Sequence, residues 1–207
     1  MKDKIRILIA DDHTIVRMGL TALLDTEKDI EVVGQAKNGV EALAESRRLN
    51  PDIVIMDLMM PKKDGVEATA ELKDMQPSVK VIILTTFGTS DGIAHAIECG
   101  AVGAVLKNAE DTELVTAIRK VAAGGRYISP EIKRQLEKDP PIPELTPRQM
   151  QVLQSMTRGL TNRDIAKQLG IRQDGVNIHV NAILQKIGAA NRTEAVAIAL
   201  HKHLLKL

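Results

Sequence analysis

Five polar side chains follow directly on short apolar runs of the sequence, and their types suit the binding of a cation and of phosphate. They are the carboxylates of Asp11, Asp12 and Asp57, the hydroxyl of Thr85 and the ammonium of Lys107. Three carboxylates brought together repel one another unless a cation lies between them, and oxygen ligands select a hard ion. Mg²⁺ fits best, because it keeps several waters and leaves room for phosphate oxygens.

The elements that must position these side chains are five apolar runs, which alternate with five patterns typical of amphipathic helices. The runs span 5–10, 30–36, 52–56, 79–84 and 104–106. Continuous Val, Ile and Leu indicates strands buried on both faces, and the alternation predicts an α/β fold with a five-stranded, parallel, doubly wound sheet. Such strands end at one edge, where open α/β folds bind ligands. The five polar side chains should therefore converge.

The remainder of the chain has a different pattern. Residues 124–144 contain a Gly pair, a short helix candidate at 130–138 and three prolines in four residues, which together predict a linker. From residue 145 onward the pattern is helical, with glycines where helices should end, at Gly159, Gly170 and Gly188. The predicted organisation is an α/β domain over 1–123, a linker with a short helix over 124–144 and a small all-α domain of four helices over 145–207.

Charge divides the chain in the same way. Residues 1–125 carry 15 Lys+Arg against 20 Asp+Glu, a balance of −5, and residues 126–207 carry 13 against 7, a balance of +6. A basic part suits a polyanionic partner. No apolar run approaches the roughly 18 residues of a membrane span, charges follow the first methionine at once, and the lone Cys99 cannot form an internal disulfide. We therefore expect a cytoplasmic protein without a membrane partner.

Residues 4–123 resemble the receiver domain of bacterial two-component response regulators. The resemblance is carried by ADDH at 10–13, DIVIMDLMMPKKDG at 52–65, ILTT at 83–86 and GAVLKN at 103–108. It implies a flavodoxin-like fold. It also implies that Asp57 is the phosphoacceptor and attacks a phosphoryl group carried on a histidine of a partner sensor kinase.

The same resemblance implies the metal and phosphate contacts. Mg²⁺ would be held by Asp12, Asp57 and the main-chain carbonyl of Met59, with Asp11 assisting through water. Thr85 would bond one phosphoryl oxygen and Lys107 would neutralise another, which agrees with a reaction that depends on placement and on spreading charge.

The chain departs from the receiver pattern at two positions. Many receivers carry Tyr or Phe three residues before the lysine, and its rotamer follows phosphorylation, whereas this chain has Ala104. Phe87 is a candidate to replace that aromatic in part, although plain packing explains it as well. Asn108 stands where Pro is common, so no cis peptide bond is expected there. A receiver-like regulator that is insensitive to phosphate is therefore one alternative.

Residues 161–188 predict a helix-turn-helix, with a short helix, a turn containing Gly170 and a longer helix. The longer helix has one inward apolar stripe: Val176, Val180, Ile183, Leu184 and Ile187. Residues 145–207 carry 9 Lys+Arg against 3 Asp+Glu, a balance of +6 that favours binding to nucleic-acid phosphates. A small helical bundle that never contacts DNA would show the same stripe and polar face.

Residues 144–207 resemble the LuxR-type output domain of the NarL/FixJ class of regulators, through LTPRQMQVL, GLTNRDIAKQLGI, VNIHVNAILQKIG and NRTEAVAIAL. The resemblance implies binding to double-stranded DNA. Its base-reading positions fall on Asn177, Ile178 and Asn181. Three further positions face the DNA backbone: His179, Arg172 and Lys186. Members of the class often have Lys at the first base-reading position. Asn suits adenine and Ile suits a thymine methyl, so we expect an A·T-leaning half-site.

The last predicted helix has an apolar stripe, and by the resemblance the family uses this helix for dimerisation: Ala195, Val196, Ala199 and Leu200. Packing into the domain core explains this stripe equally well.

Together these features predict a phosphorylation-dependent transcription regulator that is not an enzyme. When phosphorylated it would bind promoter half-sites as a homodimer and act on the transcription machinery. The main alternative is an aspartyl-phosphate hydrolase, which also uses an Asp after a parallel strand. The motif of those enzymes is D-x-D, however, and the second position here is Met59, which has no carboxylate to act as general acid.

Overall fold

The computed structural model describes residues 4–86, 90–143, 145–202 and 204. The chain forms two compact units, Met1–Pro140 and Pro141–Leu207. None of the helices described has the length and apolar character needed to cross a bilayer.

The first unit alternates strands and helices around a parallel sheet. Its strands are β1 (Ile5–Ala10), β2 (Ile30–Ala36), β3 (Ile53–Asp57), β4 (Lys80–Thr85), β5 (Gly103–Leu106) and β6 (Tyr127–Ile128). Its helices are α1 (Thr14–Asp25), α2 (Gly39–Leu49), α3 (Gly65–Met75), α4 (Ser90–Glu98), α5 (Asp111–Ala122) and α6 (Pro130–Lys138). The spatial order is β2-β1-β3-β4-β5-β6, and every adjacent pair is parallel.

The inner strands are buried on both faces, which explains why they read as continuous apolar runs. Successive side chains of a strand point to opposite faces of the sheet. Leu8, Val54 and Ile83 accordingly pack in one core cluster, whereas Ile9 and Ile55 pack in the other. All five residues of β3 are buried, including the final Asp57. Two closely packed faces therefore fix the strand that carries this carboxylate.

The sheet has six strands where the sequence predicts five. The additional strand, β6, is two residues long and pairs with β5, so that the main-chain N–H of Ser129 donates to the carbonyl of Ala104 at 2.9 Å. The short helix predicted at 130–138 is present as α6, and its Ile132 is fully buried in a core cluster of the first unit. Most of the segment predicted as a linker therefore packs on the α/β unit.

The described residues of the second unit form four helices, as predicted: α7 (Pro147–Thr157), α8 (Asn162–Leu169), α9 (Gln173–Ile187) and α10 (Arg192–His201). A capping box formed by Thr146 and Gln149 starts α7. Left-handed Gly170 and Gly188 end α8 and α9. The predicted inward stripe of α9 lies in or against the core of this unit, because Val176, Val180, Ile183 and Ile187 are buried and Leu184 packs against them.

Candidate functional site

The carboxyl ends of the strands bring the predicted polar side chains of the first unit together. Asp11 follows β1, Asp57 ends β3, Thr85 ends β4 and Lys107 follows β5. The Lys107 ammonium lies 2.6 Å from Asp11 Oδ2 and 2.9 Å from Asp57 Oδ2. The main-chain N–H of Lys107 donates to the carbonyl of Thr85 at 2.7 Å. One lysine therefore connects three strand ends, in a pocket where both carboxylates are almost completely buried.

The acidic side of this pocket has the composition of a site for a hard cation. One potential ligand atom from each of Asp11, Asp12, His13 and Asp57 lies within 4.8 Å of the others. Asp11 Oδ2 and Asp12 Oδ1 are buried, and the nearest cationic or ring nitrogens are the Lys107 ammonium, 2.6 Å from the first, and His13 Nδ1, 2.7 Å from the second. Carboxylate oxygens clustered this closely repel one another and favour a hard cation between them, so the residues present fit Mg²⁺.

His13 is a member of this cluster that the sequence reasoning missed. Its Nδ1 atom lies 2.7 Å from Asp12 Oδ1 and 3.3 Å from Asp11 Oδ1, and its main-chain N–H donates to Asp11 Oδ1 at 2.8 Å. The signal was present in the sequence, because His13 directly follows the two aspartates. The imidazole ring is exposed, so it can leave the carboxylate when a cation binds.

The ionisation of the pocket is set by opposing effects. Burial raises the pKa of the Asp57 carboxyl above its ordinary value, although the hydrogen bond and charge of Lys107 act in the opposite direction. Burial acts to lower the pKa of Lys107, but its hydrogen bonds to Asp11 and Asp57 outweigh burial and raise that pKa. Lys107 therefore stays protonated, and a further cation beside Asp57 would favour the ionised carboxylate.

The loop after β3 is held by two glycines that the sequence analysis did not single out. The main-chain N–H of Gly65 donates to the carbonyl of Leu58 at 2.9 Å, and that of Gly39 donates to the carbonyl of Lys63 at 3.0 Å. A Cβ atom on Gly65 would lie 2.1 Å from the carbonyl oxygen of Asp57. The loop also places the Met59 side chain in solvent, 67% exposed.

The position that carries an aromatic residue in many receivers is occupied here by a small side chain in the protein core. Ala104 is fully buried, in the same core cluster as Ile132 of α6, and its carbonyl accepts a hydrogen bond from the main-chain N–H of Ser129, the residue after β6. Phe87, the residue considered as a partial replacement, lies outside the described residues.

In the second unit, α9 presents the predicted base-reading residues on one exposed face. Asn177 and Asn181 are exposed, and the Ile178 side chain is 68% exposed. Arg172 begins the helix as an exposed N-cap without a side-chain cap, whereas His179 and Lys186 are half-buried. Arg163, Lys167 and Arg172 line a groove beside the turn between α8 and α9. The exposed face of α9 and this groove together form a polar and basic surface.

The four residues of α10 predicted to take part in dimerisation differ in their burial. Ala195 and Ala199 are fully buried in the core of the second unit, because they face α7 and α9. These two residues are therefore packing residues, which corrects the prediction for half of the stripe. Val196 is half-buried, and Leu200 remains 45% exposed.

Comparison with known proteins gives two family matches in this chain. Residues 7–119 match the response regulator receiver domain, and residues 143–199 match the bacterial regulatory proteins of the luxR family. Together the matches include the whole acidic pocket and the whole of α9.

Whole-length similarity is also clear. The chain is 40% identical to the uncharacterized transcriptional regulatory protein YvfU of Bacillus subtilis, covering 96% of this chain and 98% of that protein. It is 36% identical to the response regulator protein VraR of Staphylococcus aureus, covering 98% and 99%. The structure of the two-component response regulator RcsB in complex with DNA matches with a TM-score of 0.71 and 25% identity, over 97% of this chain and 99% of that one. The chain therefore belongs to the response regulators that combine a receiver domain with a LuxR-type helix-turn-helix domain.

Proposed function

We propose that this chain is a phosphorylation-dependent transcription regulator of a bacterial two-component system, in which Asp57 accepts a phosphoryl group from a histidine of a partner sensor kinase. The observation that carries the proposal is the position of Lys107, whose ammonium contacts both Asp11 and Asp57 at the ends of three strands. A buried carboxylate beside a fixed ammonium and a cluster of further carboxylates suits phosphoryl transfer better than a purely structural role.

The transfer itself needs little from the protein beyond placement and charge. A carboxylate oxygen of Asp57 attacks phosphorus, and the bond from phosphorus to the kinase imidazole breaks, with its electrons returning to the ring nitrogen. Lys107 neutralises one phosphoryl oxygen and the Thr85 hydroxyl donates to another. Mg²⁺ held by the aspartates and the Met59 carbonyl would supply further positive charge for the phosphoryl oxygens.

Phosphorylation then changes the contacts of Lys107. An acyl phosphate on Asp57 adds negative charge and acceptor oxygens next to a lysine that also contacts Asp11. Because Lys107 and Thr85 are joined through the main chain, a shift of one affects the ends of both β4 and β5. We propose that this change regulates DNA binding and favours a homodimer on paired half-sites about one helical turn apart. Leu200, which is exposed, and Val196, which is half-buried, are the candidates for the dimer contact.

The proposed DNA surface is the outer face of α9. Asn177, Ile178 and Asn181 would contact base edges in the major groove, and Arg172, His179 and Lys186 would lie toward phosphates. Binding there would recruit or block the transcription machinery at the promoter.

The direct test is DNA binding by the full chain with and without acetyl phosphate and Mg²⁺, measured by gel shift together with the mass of the protein. We expect a mass increase of one phosphoryl group and tighter binding after treatment. Asp57→Asn should show neither change. Equal affinity in both states, or a response that persists in Asp57→Asn, would contradict the proposal.

A further inference from the structure

A hydrogen-bonded relay links three helices of the second unit and ends on a base-reading residue of α9. Arg192 of α10 donates from Nη1 to Asn162 Oδ1 at 2.9 Å, and Asn162 of α8 donates from Nδ2 to Asn177 Oδ1 at 2.8 Å. Arg192 is itself fixed, because its Nη2 donates to the carbonyl of Leu160 at 2.5 Å. Arg192 and Asn162 are half-buried, whereas Asn177 is exposed.

The chemistry of arginine fixes the direction of every bond in this relay. A guanidinium group only donates hydrogen bonds, so the atom of Asn162 that it contacts must be the oxygen. The amide nitrogen of Asn162 must then face Asn177. A nitrogen donor requires an acceptor, so Asn177 must turn its oxygen toward Asn162 and its own nitrogen away. The orientations of both amides therefore follow from Arg192.

We propose that this relay presents Asn177 to DNA as a hydrogen-bond donor and thereby sets its base preference, with Asn162 as the positioning residue. The inference rests on the proposed function, since it concerns how the same helix reads DNA. In the major groove guanine offers N7 and O6 as acceptors and thymine offers O4, whereas cytosine offers an N4 donor and adenine offers an N6 donor beside its N7 acceptor. Asn177 should therefore favour guanine or thymine on the strand that it contacts.

This assignment gives Asn177 and Asn181, the two asparagines on the exposed face of α9, different roles in base recognition. Asn181 has no side-chain hydrogen bond within the part of the chain that the structure describes, so both ends of its amide remain free for adenine. The expected A·T preference thus belongs to Asn181 and Ile178, and Asn177 adds a different requirement. A lysine at position 177, which is common in the family, could not accept from Asn162, so the relay depends on this asparagine.

The substitution Asn162→Asp tests the direction of the relay. A carboxylate accepts from Arg192 as before, but it cannot donate, so Asn177 must turn its nitrogen toward residue 162 and its oxygen toward DNA. The aspartate side chain has nearly the same size as the asparagine that it replaces. An acidic residue also suits the first turn of α8, so the fold should be retained. The preference at one base position should change from guanine or thymine to cytosine or adenine, by roughly five- to tenfold in relative affinity.

The experiment is selection of binding sites from a randomised double-stranded DNA pool by the full chain treated with acetyl phosphate and Mg²⁺. Three variants accompany the wild-type protein: Asn162→Asp, Asn177→Asp and Asn191→Asp. Asn177→Asp places an acceptor at the reading position directly and identifies the base that it contacts. Asn191→Asp is the matched control, because it adds the same charge next to Arg192 at the N-cap of α10, outside the relay, where Asp caps equally well.

We expect Asn162→Asp and Asn177→Asp to change the preference at the same base position, and Asn191→Asp to lower affinity evenly without changing any preference. The relay is wrong if Asn177→Asp changes the preference while Asn162→Asp does not. It is equally wrong if neither variant changes a sequence that the wild-type protein clearly selects. Failure of the wild-type protein to select any sequence would instead contradict the proposed function.

Discussion

Gly65 lies so close to Asp57 that a methyl group on the glycine would be 2.1 Å from the aspartate's carbonyl oxygen. Helix α3, which follows the loop after β3, therefore packs directly on the main chain of Asp57, the proposed phosphoacceptor. The contact holds the Asp57 main chain and the start of α3 at a fixed distance.

Replacement of Gly65 by alanine should damage both stability and phosphorylation. The added methyl group must displace the Asp57 and Leu58 main chain, and we expect a loss of about 1 to 3 kcal/mol in the free energy of unfolding. Urea unfolding and the rate of labelling by acetyl phosphate measure the two effects. Gly19→Ala is the control, because Gly19 is exposed in α1 with open space around it, and this variant should be about 0.5 to 1 kcal/mol more stable. A Gly65→Ala protein as stable as the wild type would contradict this prediction, because the main chain of Asp57 and Leu58 would then move aside without a measurable loss of stability.

Replacement of Lys107 by methionine should make the fold depend on Mg²⁺. Removal of the ammonium leaves the buried carboxylates of Asp11 and Asp57 facing each other without a cation. We expect a lower melting temperature in the absence of Mg²⁺, a larger recovery on adding Mg²⁺ than the wild type shows, and phosphorylation slowed roughly 100-fold. Lys28→Met, at an exposed position, makes the same change of charge and should alter neither measurement. An identical Mg²⁺ response in the Lys107 variant and the wild type would argue against a shared cation site.

The single tyrosine provides a prediction for alkaline pH. Tyr127 of β6 donates its hydroxyl proton to Glu113 Oε1 at 3.0 Å, and burial together with that hydrogen bond raises the pKa of Tyr127. A raised pKa in the folded state means that its stabilising effect is complete below the unfolded-state pKa of about 10 and is lost as the pH rises through the folded-state value. Absorbance of tyrosinate, which only this residue contributes, should titrate at higher pH in the native protein than in urea.

Two variants check the origin of that shift. Tyr127→Phe should remove this part of the decline in stability above about pH 10. Glu113→Gln keeps the tyrosine but removes the charge, and it should move the tyrosinate titration to lower pH. A native titration at or below that of the unfolded chain would refute the assignment.

The docking of α6 on the first unit can be tested at Ile132. Because this side chain is fully buried in the core cluster that also contains Ala104, Ile132→Ala should cost about 2 to 5 kcal/mol of unfolding free energy. The neighbouring exposed Lys133→Ala should stay within about 0.5 kcal/mol of the wild type. A fragment ending at residue 140 should also unfold at a higher urea concentration than one ending at residue 123. Equal midpoints would mean that α6 is not part of this unit's cooperative fold.

Much of the first unit could be predicted because its strands carry a strong signal. Runs such as 7–10 and 81–84 are apolar at every position, and the polar residues that close or follow the runs mark the edge of the sheet. The strand β6 gives no such signal, since it has only two residues, both half-buried, and is defined by its pairing with β5. The burial of α6 could not be predicted either, because a short helix next to three prolines has the sequence pattern of an interdomain linker.

In the second unit the sequence predicted the helices but could not assign their apolar faces. Ala195 and Ala199 form a small-residue stripe that suits a dimer contact and a core equally, and only the packing of α10 against α7 and α9 decides between them. The relay from Arg192 to Asn177 joins residues that are far apart along the chain, so no local pattern indicates it.

The position of Lys107 also has a consequence for the resting state of the protein. Its ammonium acts as a built-in counter-ion, so the acidic pocket can stay folded before any metal or phosphate arrives. A divalent cation that bound these carboxylates would share their oxygens with this lysine, so we expect weaker metal binding than in a site without an ammonium group.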